Sequence, residues 1–235
     1  MIAITLLIPV YNEEENLLPL SELILNFIKA REEKWEVIFL NDGSVDGSLQ
    51  KLQQICQGNS AFSYVSFNKN RGLDHVLYAG FKLVATPWTA YMDSDLQVVP
   101  SDFSKLIPFM TSYDLISGRR MQRQDSLKKR IASGIANRFR RLFTQDGAAD
   151  TGCPLKLMKT YSLASLPYFR GFHRFLPALV RSSGGRTVEI PINHFPRIAG
   201  KSNFGLYDRL WEGVAGCFRF RKMRRNLRKN VNFKT

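Results

Sequence analysis

Cysteine, acidic residues and long apolar runs are all scarce in this sequence. The three cysteines, Cys56, Cys153 and Cys217, are far apart and odd in number. They give neither a zinc-ligand spacing nor a disulfide framework, which favours a reducing compartment. Asp and Glu number 20 against 34 Lys and Arg, so the formal net charge is +14. This excess favours a polyanionic partner, such as a nucleic acid, an anionic membrane or a phosphorylated substrate.

No apolar run approaches the ~18 residues that a membrane-spanning helix needs. The apolar start, MIAITLLIPVYN, has neither a basic leading region nor a small-residue cleavage site, and it continues directly into Glu13–Glu15. We therefore predict a strand here rather than a signal peptide, and a cytoplasmic location.

Histidine is also scarce, and its positions do not indicate nucleophilic catalysis. The three histidines are His75, His173 and His194, and His173 lies among aromatic residues. The sequence suggests no Ser-His-Asp or Cys-His arrangement. We interpret all three histidines as structural.

Short β-type runs alternate with helical patterns through the first half of the chain. This alternation predicts an α/β fold with a mostly parallel sheet covered by helices on both faces. The second half is more basic and less regular, and residues 219–235 contain Lys and Arg but no acidic residue. The predicted strands are 2–9, 35–40, 62–67, 89–92, 113–117 and 186–195, and the predicted helices are 14–30, 45–56, 73–84, 101–110, 126–143 and one from Tyr207.

Polar motifs follow each of the first four predicted strands. Ligands bind at the carboxyl ends of the strands in sheets of this kind. We therefore expect the four motifs to meet in one crevice. In chain order they are PVYNEEEN, NDGSVDGS, NKNRG and DSDLQ.

Asp93 and Asp95 are the clearest candidate ligands for a cation. Residues two apart in an extended segment point the same way, so these carboxylates repel each other unless a cation lies between them. Mg²⁺ and Mn²⁺ take hard oxygen ligands, and Gln97 can add an oxygen or orient a phosphate. The alternative is an Asp turn or a helix N-cap near Ser94.

The spacing leaves two roles open for Asp42. Gly43 and Gly47 can adopt positive φ, and Ser44 or Asp46 can cap the next helix, so the stretch can be an ordinary turn. Otherwise Asp42 contacts the base or ribose of a nucleotide.

Other candidate ligand-binding residues also have both a structural and a functional interpretation. Glu13 suits the first turn of a helix because the helix dipole favours acidic residues there. Pro9 and Tyr11 offer a wall and a ring to a nucleobase. Arg71, in Asn70-Arg71-Gly72, suits a phosphate at a helix start or an ordinary turn. The basic run after the fifth strand is either a solvated helix face or, at Arg119, a phosphate contact.

Five motifs together resemble family-2 glycosyltransferases in order and spacing: IPVYNEEENL, NDGSVDGS, NRG, YMDSDLQVVP and SGRR. The resemblance is strongest to the polyprenyl-phosphate branch, which includes dolichol-phosphate mannose synthase and undecaprenyl-phosphate sugar transferases. DSDLQ resembles the Asp-Ala-Asp-Leu-Gln motif of that branch. HRFLPALVRSSGGRTVEIPINHFPRIAGKSNFG resembles its Glu-x-Pro, Arg-x-x-Gly-x-Ser tail. The likeness covers roughly residues 3–205.

This resemblance implies a GT-A fold in a catalytic domain of residues 1–205. It implies inverting, metal-dependent transfer from a UDP- or GDP-sugar to a polyprenyl phosphate, with Asp95, Arg119, Lys129 and Ser133 as the catalytic set. The nucleoside would be held by Pro9, Tyr11, Glu13 and Asp42, and the diphosphate and the Mg²⁺ or Mn²⁺ by Asp93, Asp95 and Gln97. Arg197 and Lys201 would close over the diphosphate, and Arg71 also belongs to the predicted nucleotide-sugar site. The acceptor phosphate would be received by Arg119 and the stretch from Lys129 to Ser133.

The sequence departs from the family pattern in four places. Asn41-Asp42 replaces the usual Asp-Asp, Lys129 stands where we expect an arginine, and His75 fills a position that is often small or basic. No apolar run after the catalytic domain matches the transmembrane helices of many relatives. We predict instead that the basic residues 206–235 lie on an anionic membrane surface, with a basic tail as the alternative.

Two other functions stay open. Transfer to a sugar hydroxyl of lipopolysaccharide or another glycan would require a general base, for which Asp150 is the candidate. A nucleic-acid-binding protein is suggested by charge alone, but we find no nucleic-acid motif. A sugar nucleotidyltransferase is disfavoured because no Gly-rich loop opens the first helix.

Overall fold

The computed structural model of the chain describes residues 2–121, 134, 140–164, 166–196 and 213–224. Their centre is a seven-stranded sheet with the strand order β3-β2-β1-β4-β6-β5-β7. The strands are β1 Ala3–Val10, β2 Lys34–Asn41, β3 Phe62–Ser66, β4 Trp88–Tyr91, β5 Leu115–Arg120, β6 Lys156–Lys159 and β7 Thr187–Ile192.

The sheet is mixed but mostly parallel. β6 lies between β4 and β5 and is antiparallel to both. The pairs β1–β2, β1–β4, β2–β3 and β5–β7 are parallel. This arrangement confirms the predicted α/β class.

Within the described ranges, six α-helices and three 3₁₀ turns connect the strands. The helices are α1 Glu14–Lys29, α2 Ser48–Gly58, α3 Leu73–Leu83, α4 Phe103–Leu106, α5 Thr160–Ala164 and α6 Leu176–Ser182, and the 3₁₀ turns are Pro100–Asp102, Ile107–Phe109 and Phe172–Phe175. Residues 140–144 are also helical. The helical residues 213–224, called the terminal helix below, are the last that the structure describes.

The sheet has a hydrophobic core on each face, which explains the continuous apolar sequence of β1. Ile4 and Leu6 pack into one core together with α1, whose buried Leu17, Leu20 and Ile24 follow helical spacing. Leu7 faces the other core, which includes residues of α3 and α6. A strand that is buried on both faces cannot show polar alternation.

The structure differs from the prediction at several elements, including one strand that was not predicted and two predicted helices. β6 was not predicted, because KLMK is short and carries lysines at both ends. The helix predicted over 101–110 is instead α4 between two 3₁₀ turns; Pro108 supplies no N–H for a continuous α-helical ladder. α2 begins at Ser48 rather than at Val45, since Val45 is 84% exposed in the preceding turn.

The terminal helix is docked against the second core. Its Cys217 and Phe220 are buried, and the ring of Phe220 stacks on Phe175 with centroids 5.5 Å apart. A Cβ at Gly216 would lie 2.7 Å from the Phe175 ring, so glycine permits this close approach. The predicted domain limit at residues 205 and 206 lies outside the described ranges. Within those ranges, no helix combines the length and apolar character needed to cross a bilayer.

The Phe220–Phe175 stack gives a stability prediction. Replacing Phe220 by Ala removes a fully buried ring, so we expect the free energy of unfolding to fall by about 3–5 kcal/mol in urea titrations. Phe218→Ala is the control, because Phe218 is 56% exposed on the same helix and should lose only about 1 kcal/mol or less. Equal losses in the two variants would contradict this packing.

Candidate functional site

The carboxyl ends of the central parallel strands form one edge, and polar loops from several strands meet there. Tyr91 at the end of β4 pairs with Leu7 of β1, and the following loop returns to β1 where the Ser94 hydroxyl donates to the carbonyl of Pro9 at 3.0 Å. From the far end of the sheet, the amide of Phe195 donates to the carbonyl of Gln97 at 3.0 Å. This hydrogen bond brings the segment after β7 against the Asp93–Gln97 loop.

The turns after β1 and β2 are held to each other by side chains. The Asn12 amide donates to the Ser44 hydroxyl at 3.1 Å, and the Asn12 side-chain carbonyl accepts from the Val45 amide at 2.9 Å. Asn12 has a φ of 55°, a left-handed conformation that asparagine tolerates. These bonds fix the relative position of the first two motifs.

The starts of α1 and α2 are also locked together. The Asp46 carboxylate accepts from the Glu14 amide at 3.2 Å and from the Ser48 amide at 3.0 Å, while the Glu14 carboxylate accepts from the Gly47 amide at 2.9 Å. Glu13 donates its amide to the Ser48 hydroxyl at 2.9 Å, and its carboxylate accepts from the Asn16 side chain at 2.6 Å. The acidic run at the start of α1 therefore has structural partners, and a nucleoside contact by Glu13 stays a prediction.

Asp42 links β2 to the start of α3 rather than capping α2. One carboxylate oxygen accepts from the Arg71 amide at 2.7 Å and the other from the Gly72 amide at 2.8 Å. Burial raises the pKa of Asp42, and these two amides offset the rise only in part. Gly43 has a φ of +64°, and a Cβ there would lie 2.4 Å from the Lys69 backbone. The turn thus needs glycine next to a carboxylate that positions the third motif.

A cleft of about 520 Å³ adjoins this turn. Its volume falls within the range of small-ligand sites. Basic and aromatic side chains form much of its wall, which suits a planar, anionic ligand. The lining residues are Ser66, Phe67, Asn68, Lys69, Arg71 and His75.

Asp93 and Asp95 follow β4 directly and lie in a poorly solvated place. The Tyr91 hydroxyl donates to Oδ1 of Asp93 at 2.6 Å, and the Gln97 amide donates to Oδ1 of Asp95 at 3.2 Å. Burial and the charge of Asp95 raise the pKa of Asp93, against the opposing effects of Tyr91, His173 and Lys156. Burial and the neighbouring Asp93 likewise raise the pKa of Tyr91 well above its usual value.

The donor set of this loop fits a hard divalent cation. It offers two carboxylates and the amide oxygen of Gln97, and Mg²⁺ or Mn²⁺ commonly takes one or two protein carboxylates and completes its coordination with substrate phosphates and water. A cation beside Asp93 and Asp95 would also offset their repulsion. Within the described ranges, no three His, Cys, Asp or Glu side chains cluster as a self-sufficient metal site.

The next strand end carries two adjacent arginines with different environments. Arg119 is exposed and has no ion-pair partner among the described residues. Arg120 forms a bidentate pair with Asp150, at 2.8 Å to each carboxylate oxygen, and also donates its amide to Asp150 at 3.1 Å. The Glu189 carboxylate accepts from the amides of Ala149 and Asp150 at 2.7 and 2.8 Å. A contact of Arg119 with the acceptor phosphate stays a prediction.

Lys156 is a buried cation at the same edge that the sequence analysis missed. Only 1% of it is exposed, and its ammonium donates to the carbonyls of Thr151 and Cys153. Its Nζ lies 5.7 Å from the centroid of the Tyr91 ring. Burial lowers the pKa of Lys156. No local pattern marks this lysine, because its neighbours come from β4 and from the loop before β6.

The remaining predicted residues are divided between described and undescribed parts of the chain. Pro9, Tyr11 and Gln97 lie at the carboxyl edge and are half-buried, and Arg71 is exposed. The roles predicted for them stay predictions. The predicted residues that lie outside the described ranges are Lys129, Ser133, Arg197 and Lys201.

Sequence comparison places the chain among enzymes that transfer sugars. Residues 5–164 match the model of Glycosyl transferase family 2. The chain is 31% identical over 208 residues to the undecaprenyl-phosphate 4-deoxy-4-formamido-L-arabinose transferase of Edwardsiella ictaluri, a match that covers 86% of this chain and 63% of the relative. The chain thus spans less than two thirds of that relative's length.

Comparison with solved structures confirms the predicted GT-A fold. The glucosyl-3-phosphoglycerate synthase of Mycobacterium tuberculosis, in complex with Mn²⁺, UDP and glucosyl-3-phosphoglycerate, superposes with a TM-score of 0.69 at 14% identity, covering 93% of this chain and 79% of that one. The mannosyltransferase PcManGT of Pyrobaculum calidifontis, in complex with GDP-Man and Mn²⁺, gives 0.64 at 18% identity, covering 92% and 64%.

The repulsion between Asp93 and Asp95 gives a prediction about metal binding. Mn²⁺ should raise the unfolding temperature of the wild-type protein, because a ligand at a hundred times its Kd stabilises by about 2.7 kcal/mol. Asp95→Asn should lose this shift, yet unfold without metal at the same or a higher temperature since the repulsion is gone. Thermal unfolding with and without Mn²⁺ measures both effects.

Asp114→Asn is the matched control for this measurement. Asp114 is a buried carboxylate that accepts from the Arg186 amide at 2.7 Å, at the opposite edge of the sheet. Its variant should keep the Mn²⁺ shift. A shift that survives in Asp95→Asn and disappears in Asp114→Asn would place the cation elsewhere.

Proposed function

The chain belongs to glycosyl transferase family 2, and we propose that it transfers a sugar from a nucleotide-diphosphate sugar to a polyprenyl phosphate, with inversion at the anomeric carbon. The observation that carries this proposal is the pair of carboxylates, Asp93 and Asp95, at the carboxyl end of β4. This pair suits a divalent cation that bridges the protein to a diphosphate.

The neighbouring turns support a nucleotide-sugar donor. Arg71 lines the cleft next to the Asp42 turn, and this cleft has a partly basic and aromatic wall and a volume in the range of small-ligand sites. We infer that Pro9, Tyr11, Glu13 and Asp42 contact the nucleoside and that Arg71 contacts a phosphate. The Mn²⁺ complexes of the two solved structures contain UDP and GDP-Man, which supports a donor of this class without choosing the base.

The acceptor proposal draws on the named relative and on the charge at the end of β5. The transferase of Edwardsiella ictaluri is named for undecaprenyl phosphate. Arg119 is an exposed cation on the strand next but one to β4, at the carboxyl edge. We infer that it receives the acceptor phosphate, together with Lys129 and Ser133.

The reaction then needs positioning and charge neutralisation more than proton transfer. A phosphate monoester has a second pKa of about 6, so an acceptor oxygen is already ionised at neutral pH. This oxygen attacks the anomeric carbon, and the bond to the nucleoside diphosphate breaks with its electron pair on the departing phosphate oxygen. Asp93, Asp95 and Gln97 would hold Mg²⁺ or Mn²⁺, which supplies positive charge to that leaving group when bound.

Transfer to a sugar hydroxyl is the less supported alternative. It requires a general base, and the sequence offered Asp150 for this role. Both Asp150 oxygens accept hydrogen bonds from the Arg120 guanidinium at 2.8 Å. The Asp150 carboxylate is thus already bound by Arg120, through its guanidinium and its amide. This geometry favours an acceptor that arrives already ionised.

The terminal helix supports contact with a membrane surface. Cys217 and Phe220 face the core, whereas Phe218, Arg221 and Lys222 are exposed at a spacing that puts them on one face. Leu142, in the helical residues 140–144, is 73% exposed, and its neighbour Phe143 contacts the Phe218 ring with centroids 5.5 Å apart. We propose that this apolar and basic face lies on an anionic lipid surface, near a lipid acceptor.

Asp95→Ala tests the proposed reaction. Transfer of label from a panel of UDP- and GDP-sugars to a short-chain polyprenyl phosphate, with Mn²⁺ present, should fall at least ~100-fold because a group that stabilises the leaving diphosphate is lost. The anomeric configuration of the wild-type product, read by NMR, should be inverted relative to the donor.

Glu36→Ala is the control for transfer, since Glu36 is an exposed carboxylate near the amino end of β2. It should retain wild-type turnover. Wild-type turnover in Asp95→Ala, with an unchanged unfolding midpoint, would overturn the assignment of the site. Wild-type transfer to glycan hydroxyls but not to polyprenyl phosphate would favour the alternative acceptor.

The membrane proposal is tested by sedimentation with vesicles that contain an anionic phospholipid. Each basic residue near such a surface is worth ~1 kcal/mol, so the double variant Arg221→Ala/Lys222→Ala should bind roughly 30-fold more weakly, and binding should weaken as salt is raised. The control, Lys29→Ala/Lys34→Ala, removes two exposed charges near the amino edge of the sheet. Equal losses in both variants, or binding that ignores salt, would contradict a specific docking face.

A further inference from the structure

Asp74 and His173 form a pair that joins the two halves of the chain at the candidate site. Asp74 lies in the first turn of α3, and His173 lies in the 3₁₀ turn before α6, 99 positions later. Nδ1 of His173 is 2.6 Å from Oδ1 of Asp74, and the Gly171 amide donates to Oδ2 at 2.8 Å. The side chain of His173 is 15% exposed and that of Asp74 is 18% exposed, so both still reach solvent.

The local fold fixes the orientation of the imidazole. Gly171 has a φ of +87°, a left-handed conformation that allows the chain to turn into the 3₁₀ segment. Phe172 and Phe175 on either side of His173 are buried in the second core. Because the carboxylate occupies Nδ1, Nε2 is the nitrogen left for another partner, and no described residue hydrogen-bonds to it.

The pair lies on the carboxyl side of the sheet, because Asp74 is in the first turn of α3, the helix that follows β3. The charge of His173 lowers the pKa of Asp93, and the charge of Asp74 raises the pKa of Tyr91. Burial raises the pKa of Asp74, but its bonds to His173 and Gly171 outweigh this and leave the pKa below its usual value. The imidazole therefore belongs to the same charged neighbourhood as the Tyr91–Asp93 hydrogen bond.

A carboxylate that only holds two segments together, called a structural clamp below, would explain why Asp74 is hydrogen-bonded. It would not explain why one of the partners of Asp74 is an imidazole. Asp114 is such a clamp: its oxygens accept from the Arg186 amide, from the Tyr161 hydroxyl at 2.9 Å and from Lys159 at 3.0 Å, away from the site. At Asp74 the amide of Gly171 already supplies one bond to the turn. The second partner is an imidazole whose other nitrogen is available at the edge where a diphosphate and a phosphate are to be held.

We propose that the Asp74–His173 pair presents Nε2–H of a protonated imidazole to a phosphate oxygen of a substrate. This inference rests on the proposed function, since it assigns a ligand to the same site. In a protonated ring both nitrogens donate, so Nδ1 can bond to Asp74 while Nε2 donates to the phosphate. His173 would be the residue that binds the phosphate, and Asp74 would be the residue that positions His173. The phosphate belongs either to the nucleoside diphosphate or to the lipid acceptor.

The experiment uses His173→Gln, Asp74→Asn and the control Asp114→Asn in the full chain. Titration calorimetry gives the Kd of UDP and of GDP with Mn²⁺, and kinetics gives KM and kcat for a short-chain polyprenyl phosphate. For His173→Gln one of these two constants, the Kd or the KM, should rise roughly ten- to a hundredfold, because a charge-assisted hydrogen bond is lost. Which constant rises identifies the phosphate. Asp74→Asn should change the same constant by a smaller factor.

The control separates binding from stability. Asp114→Asn removes a comparable clamp, so it should lower the unfolding midpoint about as much as Asp74→Asn while leaving both constants at the wild-type value. Wild-type Kd and KM in His173→Gln would overturn the inference, as would equal changes in all three variants. If the wild-type protein binds UDP or GDP but transfers nothing to a polyprenyl phosphate, the proposed acceptor fails, and the Kd of His173→Gln alone decides the inference.

Discussion

Repulsion between two neighbouring carboxylates, a buried Asp95 and a half-buried Asp93, is the constraint on which the site depends. Asp93 and Asp95 follow a strand with apolar cores on both of its faces, and burial together with the second charge raises the pKa of Asp93. The fold opposes this with the Tyr91 hydroxyl and with the positive charges of His173 and Lys156. The opposition is incomplete, since the net shift is still upward. Burial is the largest cause of this rise in pKa and the charge of Asp95 is the second, so a cation beside both carboxylates would stabilise their ionised forms.

The parts of the fold that could be predicted from the sequence are those whose stabilising contacts follow from local pattern. β1 to β4 are apolar runs between helical patterns, and their alternation is enough to predict a mostly parallel sheet. β6 is different. Its four residues carry Lys156 at one end and Lys159 at the other, and its hydrogen-bonding partners are β4 and β5 rather than neighbours in the chain. A lysine that is buried by pairing with β4 and β5 gives no local indication of a strand.

The same distinction applies to the candidate site. Asp93 and Asp95 were predicted as a pair because residues two apart point the same way in an extended segment, whereas residues 94–98 are bent in the structure. The location of Asp42 at a strand end was also predictable, but its partners, the amides of Arg71 and Gly72, are 29 and 30 positions away. His173 was interpreted as structural because its sequence neighbours are aromatic. Its relation to Asp74 exists only once α3 and the turn before α6 are packed together.

The net charge of the chain does not measure how much positive charge a polyanion meets, because the fold uses part of it internally. Arg119 and Arg120 are adjacent on β5, so their side chains point to opposite sides. Arg120 is bound to Asp150, whose own amide donates to Glu189 at 2.8 Å, and the three residues together fix the end of β5. Arg119 remains exposed at the same edge. Arg120 therefore holds the strand end in place, while Arg119 stays accessible. The sequence shows two adjacent arginines and does not indicate which of them is exposed.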